Sequence, residues 1–157
     1  LSAADGISVR AAAPGDAGRL VEFNRALARE TESRELDPSV LARGVARVLA
    51  EPERGRYFVA EIGGGVVGSL LVTTEWSDWR DGWFWWIQSV YVEPKARGRG
   101  VYAALHEHVR EAARAEGDVV GLRLYVEREN ETAQRTYRRL GMSETAYLLY
   151  EEAFTRG

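Results

Sequence analysis

The chain of 157 residues contains no cysteine, one methionine, two histidines and four prolines. Without cysteine there can be no disulfide framework and no thiolate metal site, and the composition fits a reducing, cytoplasmic setting. No apolar run reaches the length needed to cross a bilayer, so no membrane association is expected, and no signal-peptide pattern opens the sequence. A broad basic surface is also missing. The net charge is −3, which speaks against a general nucleic-acid binder. With 45% apolar and 29% charged residues, the composition is that of one soluble globular domain spanning 1–157, with 1–6 expected to be disordered or appended.

Tryptophan, by contrast, is abundant and localised. All five lie between Trp76 and Trp86.

Periodicity supplies a coarse map. "ISVRAA" (7–12) alternates as a strand, and Asp16 is placed to cap a helix running to about Thr31. Asp37-Pro38 opens a second helix through about Leu49. "RYFVAEI" (56–62), a Gly turn, "VVGSLLVTTEW" (66–76) and "WFWWIQSVYVEP" (83–94) read as a three-stranded meander. A helix follows over about 100–115, then a strand "GLRLYVE" (121–127), a helix over 131–140 ended by Gly141, and a last strand "TAYLLYE" (145–151). This order predicts an α+β fold: a mixed, mostly antiparallel sheet with helices on both faces. Within the meander, Trp86 and Trp83 are expected to pack in the core.

The segment "YVEPKARGRGVY" (91–102) carries the first chemical signal. A strand empties through arginines and glycines into a helix, an arrangement suited to an anion. One reading is a tight loop whose glycines only relieve steric strain. Another is a dinucleotide fingerprint, since Gly98-x-Gly100-x-x-Ala103 formally matches G-x-G-x-x-G/A; however, four residues separate it from the strand, and antiparallel strands precede it. An RNA-binding motif fails because Arg99 occupies an aromatic position. The third reading is a coenzyme A pyrophosphate site. In it, backbone N–H groups from about Arg97 to Tyr102 converge on the phosphates, with Arg97 and Arg99 as countercharge.

"SVYVEPKARGRGVYAAL" resembles the signature of the GNAT superfamily of N-acetyltransferases, Arg/Gln-x-x-Gly-x-Gly/Ala, with Arg97, Gly100 and Tyr102 on its three positions. Tyr102 departs from the small residue usual there, and either points away from the phosphates or crowds them. A second segment, "NETAQRTYRRLGM" (130–142), is similar to the family's Asn-x-x-Ala-x-x-x-Tyr helix, with Asn130, Ala133 and Tyr137 on one helical face. On structural grounds alone these are an N-cap, a close-packing residue and a half-buried aromatic.

The resemblance implies an acetyl-CoA-dependent N-acetyltransferase, without a metal, acting on a primary amine of a small molecule or peptide. Val90, Tyr91 and Val92 would offer backbone groups to the pantetheine where a bulge opens the sheet. Arg97, Gly98, Arg99, Gly100, Val101 and Tyr102 would hold the pyrophosphate, with Asn130 and Ala133 on the neighbouring helix. Tyr137 would protonate the departing thiolate. A base is also needed, because an alkylammonium has a pKa of about 10. Gln88 lies near the family's base position but cannot accept a proton at neutral pH. Glu75 is the leading replacement, with Asp78 and Glu93 as weaker candidates, whereas His106 and His108 read as structural. Trp76, Trp79, Gln88, Glu30 and Glu32 are the candidate acceptor contacts, the tryptophans through cation–π interaction. The expected partner is the amine; dimers are common in the family, so the resemblance also allows a homodimer. The alternative is a non-catalytic acyl-CoA-binding or regulatory module of the same fold.

Overall fold

The computed structural model describes residues 6–156; of the segment 1–6, only Gly6 falls within it. These residues form two compact units, one up to Leu124 and one from Tyr125 onward.

The first unit is built on a five-stranded sheet in sequential order: β1 (Ile7–Ala11), β2 (Arg56–Ile62), β3 (Gly65–Ser77), β4 (Gly82–Val92) and β5 (Val119–Arg123). The first three pairings are antiparallel and β4–β5 is parallel. Gly63 and Gly64 close the β2–β3 hairpin at φ of 59° and 81°, a conformation that L side chains avoid. The unit is α+β with a mixed sheet, and its helices lie on both faces.

Strand alternation shows which helix meets which face. Tyr57 and Val59 of β2 pack with Leu20 of α1 (Ala17–Glu32) and Val45 of α2 (Pro38–Ala50). Phe58 and Ala60 turn the other way, into a larger core with Val101, Leu105, Val109 and Ala113 of α3 (Val101–Glu116). The apolar i, i+4, i+8 spacing of α3 is what presents that continuous stripe.

Several local expectations change. Asp16 does not cap α1 with its side chain; its carboxylate instead takes the Arg10 guanidinium and the Ala13 N–H. Asp37 does cap α2, accepting from the N–H groups of Ser39 and Val40. Within the tryptophan segment the fully enclosed ring is Trp85, 2% exposed, rather than Trp86. Trp83 packs against the same core half-buried.

The second unit contains α4 (Glu131–Arg139), whose N-cap Asn130 accepts from the Ala133 N–H at 3.1 Å. Gly141, at φ 95°, follows the helix end as the sequence indicates. The strand expected over 121–127 begins earlier and stops at Arg123. The strand expected over 145–151 does not form: among the described residues none beyond Arg139 belongs to a helix or strand. A strand exists only through its partner's hydrogen bonds, so alternation alone cannot establish one. Among the described residues no helix is long and apolar enough to cross a membrane.

Candidate active site

The run "WFWWIQSVYV" is apolar almost throughout, which hides a change of register within β4. Ser69 pairs with Tyr91 and Leu71 with Gln88, so Ser89 and Val90 together oppose the single residue Leu70. Ser89 adopts φ 50°, a left-handed conformation that marks the extra residue of a β-bulge. The consequence is a swap of faces. Before the bulge, Trp83, Trp85 and Ile87 join the α3 core; after it, Val90 and Val92 do. Tyr91 is thereby directed to the α1 face, where its ring meets Phe23 at 5.2 Å.

The opposite edge of β4 opens at the same place. Among the described residues β5 pairs with β4 only over Trp83–Trp86, so Ile87–Val92 have no β5 partner there. A strand edge without a partner is a template for an extended ligand that carries amide groups. It leads directly into the basic turn.

In that turn a single 3₁₀ turn, Pro94–Ala96, follows the strand, and the Arg97 N–H donates back to the Pro94 carbonyl at 3.3 Å. Arg97 was expected to lend its N–H to an anion; with that group engaged, the available donors begin at Gly98. Gly98 and Gly100 have φ of 76° and 83°. Only glycine takes up such angles without strain, and here they curl the backbone into the head of α3. The first bond of α3 runs from the Ala104 N–H to the Gly100 carbonyl, at 3.0 Å. The N–H groups just before it are those a helix start leaves without internal acceptors, and they carry the positive end of its dipole.

Tyr102 points away from this rim. Its hydroxyl meets His106 Nδ1 at 3.0 Å, one helical turn on, and its ring packs on the α3 core. His106 is wholly buried, and desolvation pushes its pKa below the ordinary imidazole value. His108 lays its ring against Phe58.

The arginines and acids around the turn are extensively paired. Arg97 donates to the Val92 carbonyl through Nε at 2.9 Å and to Glu30 Oε2 through Nη2 at 2.7 Å. The Tyr91 hydroxyl donates to Glu30 Oε1 at 3.2 Å, and burial, then the nearby carboxylate, push that phenol upward. Glu30 thus ties the end of α1 to both strand and turn. Beside them lies a cleft of about 430 Å³ lined by Arg19, Phe23, Ala26, Tyr91, Glu93 and Lys95, among others. Glu93 is ion-paired with Arg19 and lies 3.7 Å from the Lys95 ammonium.

The candidate acceptor residues divide between the two faces. Glu75 is opposite Phe84 in the ladder, and its Oε1 accepts from Arg123 at 2.7 Å and from the Trp86 indole at 3.3 Å. Gln88 shares that face and donates to Thr73 Oγ1 at 2.5 Å. Trp76 is on the opposite face, edge-on to Trp83 at 5.0 Å. Trp79, in the connecting turn, is 86% exposed. Sequence reasoning missed Arg123, whose guanidinium also covers the Phe84 ring at 3.6 Å. Its partner lies 48 residues away, so no local pattern marks it.

Tyr137 belongs to α4, and burial pushes its phenol above the ordinary value. It therefore remains protonated at neutral pH and is able to donate.

A five-stranded mixed sheet whose fourth strand bulges, parts from the fifth and feeds a glycine-rich helix start places the chain in the α+β class. The acetyltransferase (GNAT) family model matches residues 20–142, and the chain belongs to that family. A possible acetyltransferase from Clostridium difficile 630 is 41% identical, with a TM-score of 0.88 over 96% of this chain and 99% of that one. A predicted acetyltransferase from Clostridium acetobutylicum, solved with acetyl-CoA, shares the fold at 20% identity, with a TM-score of 0.77 over 93% of this chain and 96% of that one. A mycothiol acetyltransferase of Mycolicibacterium gilvum (strain PYR-GCK) is 45% identical over 56 residues. That stretch is 33% of this chain and only 18% of the relative's length.

Proposed function

We propose that the chain is an acetyl-CoA-dependent N-acetyltransferase that acetylates a primary amine of a small molecule or peptide by direct attack. The observation that carries the reading is the edge of β4 from Ile87 to Val92, which among the described residues has no β5 partner and runs straight into the turn at Gly98–Gly100. The family's use of acetyl-CoA supports the choice of ligand.

In this reading the pantetheine arm adds to the backbone of Val90, Tyr91 and Val92. The pyrophosphate meets the N–H groups of Gly98, Arg99, Gly100, Val101 and Tyr102, with Arg97 and Arg99 supplying positive charge. Asn130 and Ala133, on the helix that carries Tyr137, are further coenzyme contacts in this reading. The neutral amine nitrogen attacks the thioester carbonyl carbon, the C–S bond breaks, and the sulfur takes a proton from Tyr137. Glu75 accepts the proton that the amine must lose, while Gln88, Trp79, Glu30 and Glu32 contact the acceptor; Trp76, on the other face of the sheet from Glu75 and Gln88, takes no part. A cytoplasmic, homodimeric enzyme without a metal completes the reading.

A second reading, a non-catalytic acyl-CoA binder, is favoured by one observation. The best placed carboxylate, Glu75, is already held by Arg123. Release of free thiol from acetyl-CoA across a panel of amines separates the two. Amine-dependent release supports the enzyme; binding with no release for any amine supports the binder.

A further inference from the structure

Phe84 of β4 carries two arginines on one ring. The Arg123 guanidinium lies 3.6 Å from the ring centroid and that of Arg80 lies 5.1 Å from it. Gly121, opposite Phe84 in the ladder, is what admits the ring, since a Cβ there would stand 2.9 Å from it.

A single carboxylate answers these two cations. Glu75 Oε1 takes Arg123 Nη1 at 2.7 Å, while Nε and Nη2 of Arg123 have no hydrogen-bond partner among the described residues. Among the same residues Arg80 makes no ion pair, although Asp78 and Asp81 share its turn. Two guanidiniums gathered on one ring repel each other unless an anion joins them. The planar fork that Arg123 leaves unused fits a carboxylate edge-on.

The place suits an acceptor. Trp86 and Arg123 are the last pair of the β4–β5 ladder, and the open edge begins at Ile87. Trp83, Trp85 and Ile87 face the α3 core, so Phe84, Trp86 and Gln88 share the other face. They lead from the arginines toward the bulge at Ser89 in two-residue steps of about 6.6 Å.

We propose that the acceptor amine carries a carboxylate, which Arg123 binds through this fork with Arg80 adding charge, while the amine reaches along Trp86 toward Gln88. The proposal rests on the acetyltransferase reading, in which the thioester lies beside the bulge. The spacing calls for several bonds between the two groups, as in an ω-amino carboxylate.

The test uses the full chain and the ω-aminoalkanoates from 3-aminopropanoate to 6-aminohexanoate, each beside its carboxamide. Binding to the CoA complex is read from the indole N–H signals in nuclear magnetic resonance titrations, and turnover from thiol release with acetyl-CoA. For at least one length the carboxylate should bind about ten-fold more tightly than its amide and show a correspondingly higher kcat/KM. Arg123→Gln should bring both ratios near one. Arg80→Gln, in an exposed turn, should lower them by roughly two- to five-fold and decides the matter if Arg123→Gln does not fold. No binding by any member, ratios near one at every length, or ratios that survive these variants would overturn the proposal. A carboxylate preference in binding without thiol release would keep this site and remove the enzyme; thiol release without a preference would do the reverse.

Discussion

Arg97 Nη2 donates to Glu30 Oε2 at 2.7 Å, joining the glycine-rich turn to the end of α1 across 67 residues of sequence. Both side chains are nearly half exposed, so the pair contributes about 1 kcal/mol or less. Its larger effect is on charge at the turn, where a carboxylate opposes any incoming phosphate. Glu30→Gln should therefore tighten acetyl-CoA by roughly two- to five-fold at low salt, an advantage that fades as salt rises. Isothermal titration at two ionic strengths checks this. Weaker binding at low salt would show that Glu30 assists the ligand instead.

The bulge at Ser89 is the second point of strain. A residue in left-handed geometry costs about 1–2 kcal/mol unless it is glycine, and a β-branched side chain fits worst. Ser89→Val should lower stability by about that amount, whereas Ser89→Gly should leave it unchanged or raise it. Urea denaturation of both variants decides. Equal stabilities would mean that β4 does not bulge there in solution.

How much of this was legible in the sequence depends on the range of each interaction. The turn at 97–102 could be read because its glycines, arginines and helix start are adjacent. The bulge near Val90 was legible only through the family resemblance, because "WFWWIQSVYV" is apolar on both faces and offers no alternation whose break would show. Trp76 looked like a neighbour of Glu75 and Gln88, but strand geometry sends it to the other face. Segment 145–151 reads as a strand for the same local reasons that β1 does. Whether it forms depends on a partner that no local pattern specifies.

His106 links pH to stability. Its buried ring binds a proton less readily than in the unfolded chain, so its contribution is complete above the ordinary imidazole value, about 6.5. That contribution is lost as pH falls through this value toward the lower folded one, because the unfolded state then takes up protons first. Arg110 adds to the depression and Glu107 opposes it. The melting temperature should fall between about pH 7.5 and about pH 5, and His106→Asn should flatten the fall. An unchanged slope in that variant would assign it to other groups.

Tyr137 separates catalysis from binding. A thiolate of pKa about 8.5 leaves readily, so the proton from the phenol helps without being indispensable. Tyr137→Phe should lower kcat by roughly ten- to a thousand-fold and leave acetyl-CoA affinity nearly unchanged, since the ring remains. Steady-state kinetics beside titration gives both numbers. Wild-type kcat under conditions where chemistry limits the rate would remove the role.

The most direct measurement of the whole account is acetyl-CoA titration of the wild type and Gly100→Val by calorimetry. Gly100 takes φ of 83° at the head of α3, where a β-branched residue cannot follow without tilting the N–H groups away from the phosphates. The wild type should bind one acetyl-CoA per chain. The variant, folded by circular dichroism, should bind at least about ten-fold more weakly, a loss of about 1.4 kcal/mol. Equal affinity in a folded Gly100→Val, or no binding by the wild type, would contradict the assignment of this turn to the coenzyme.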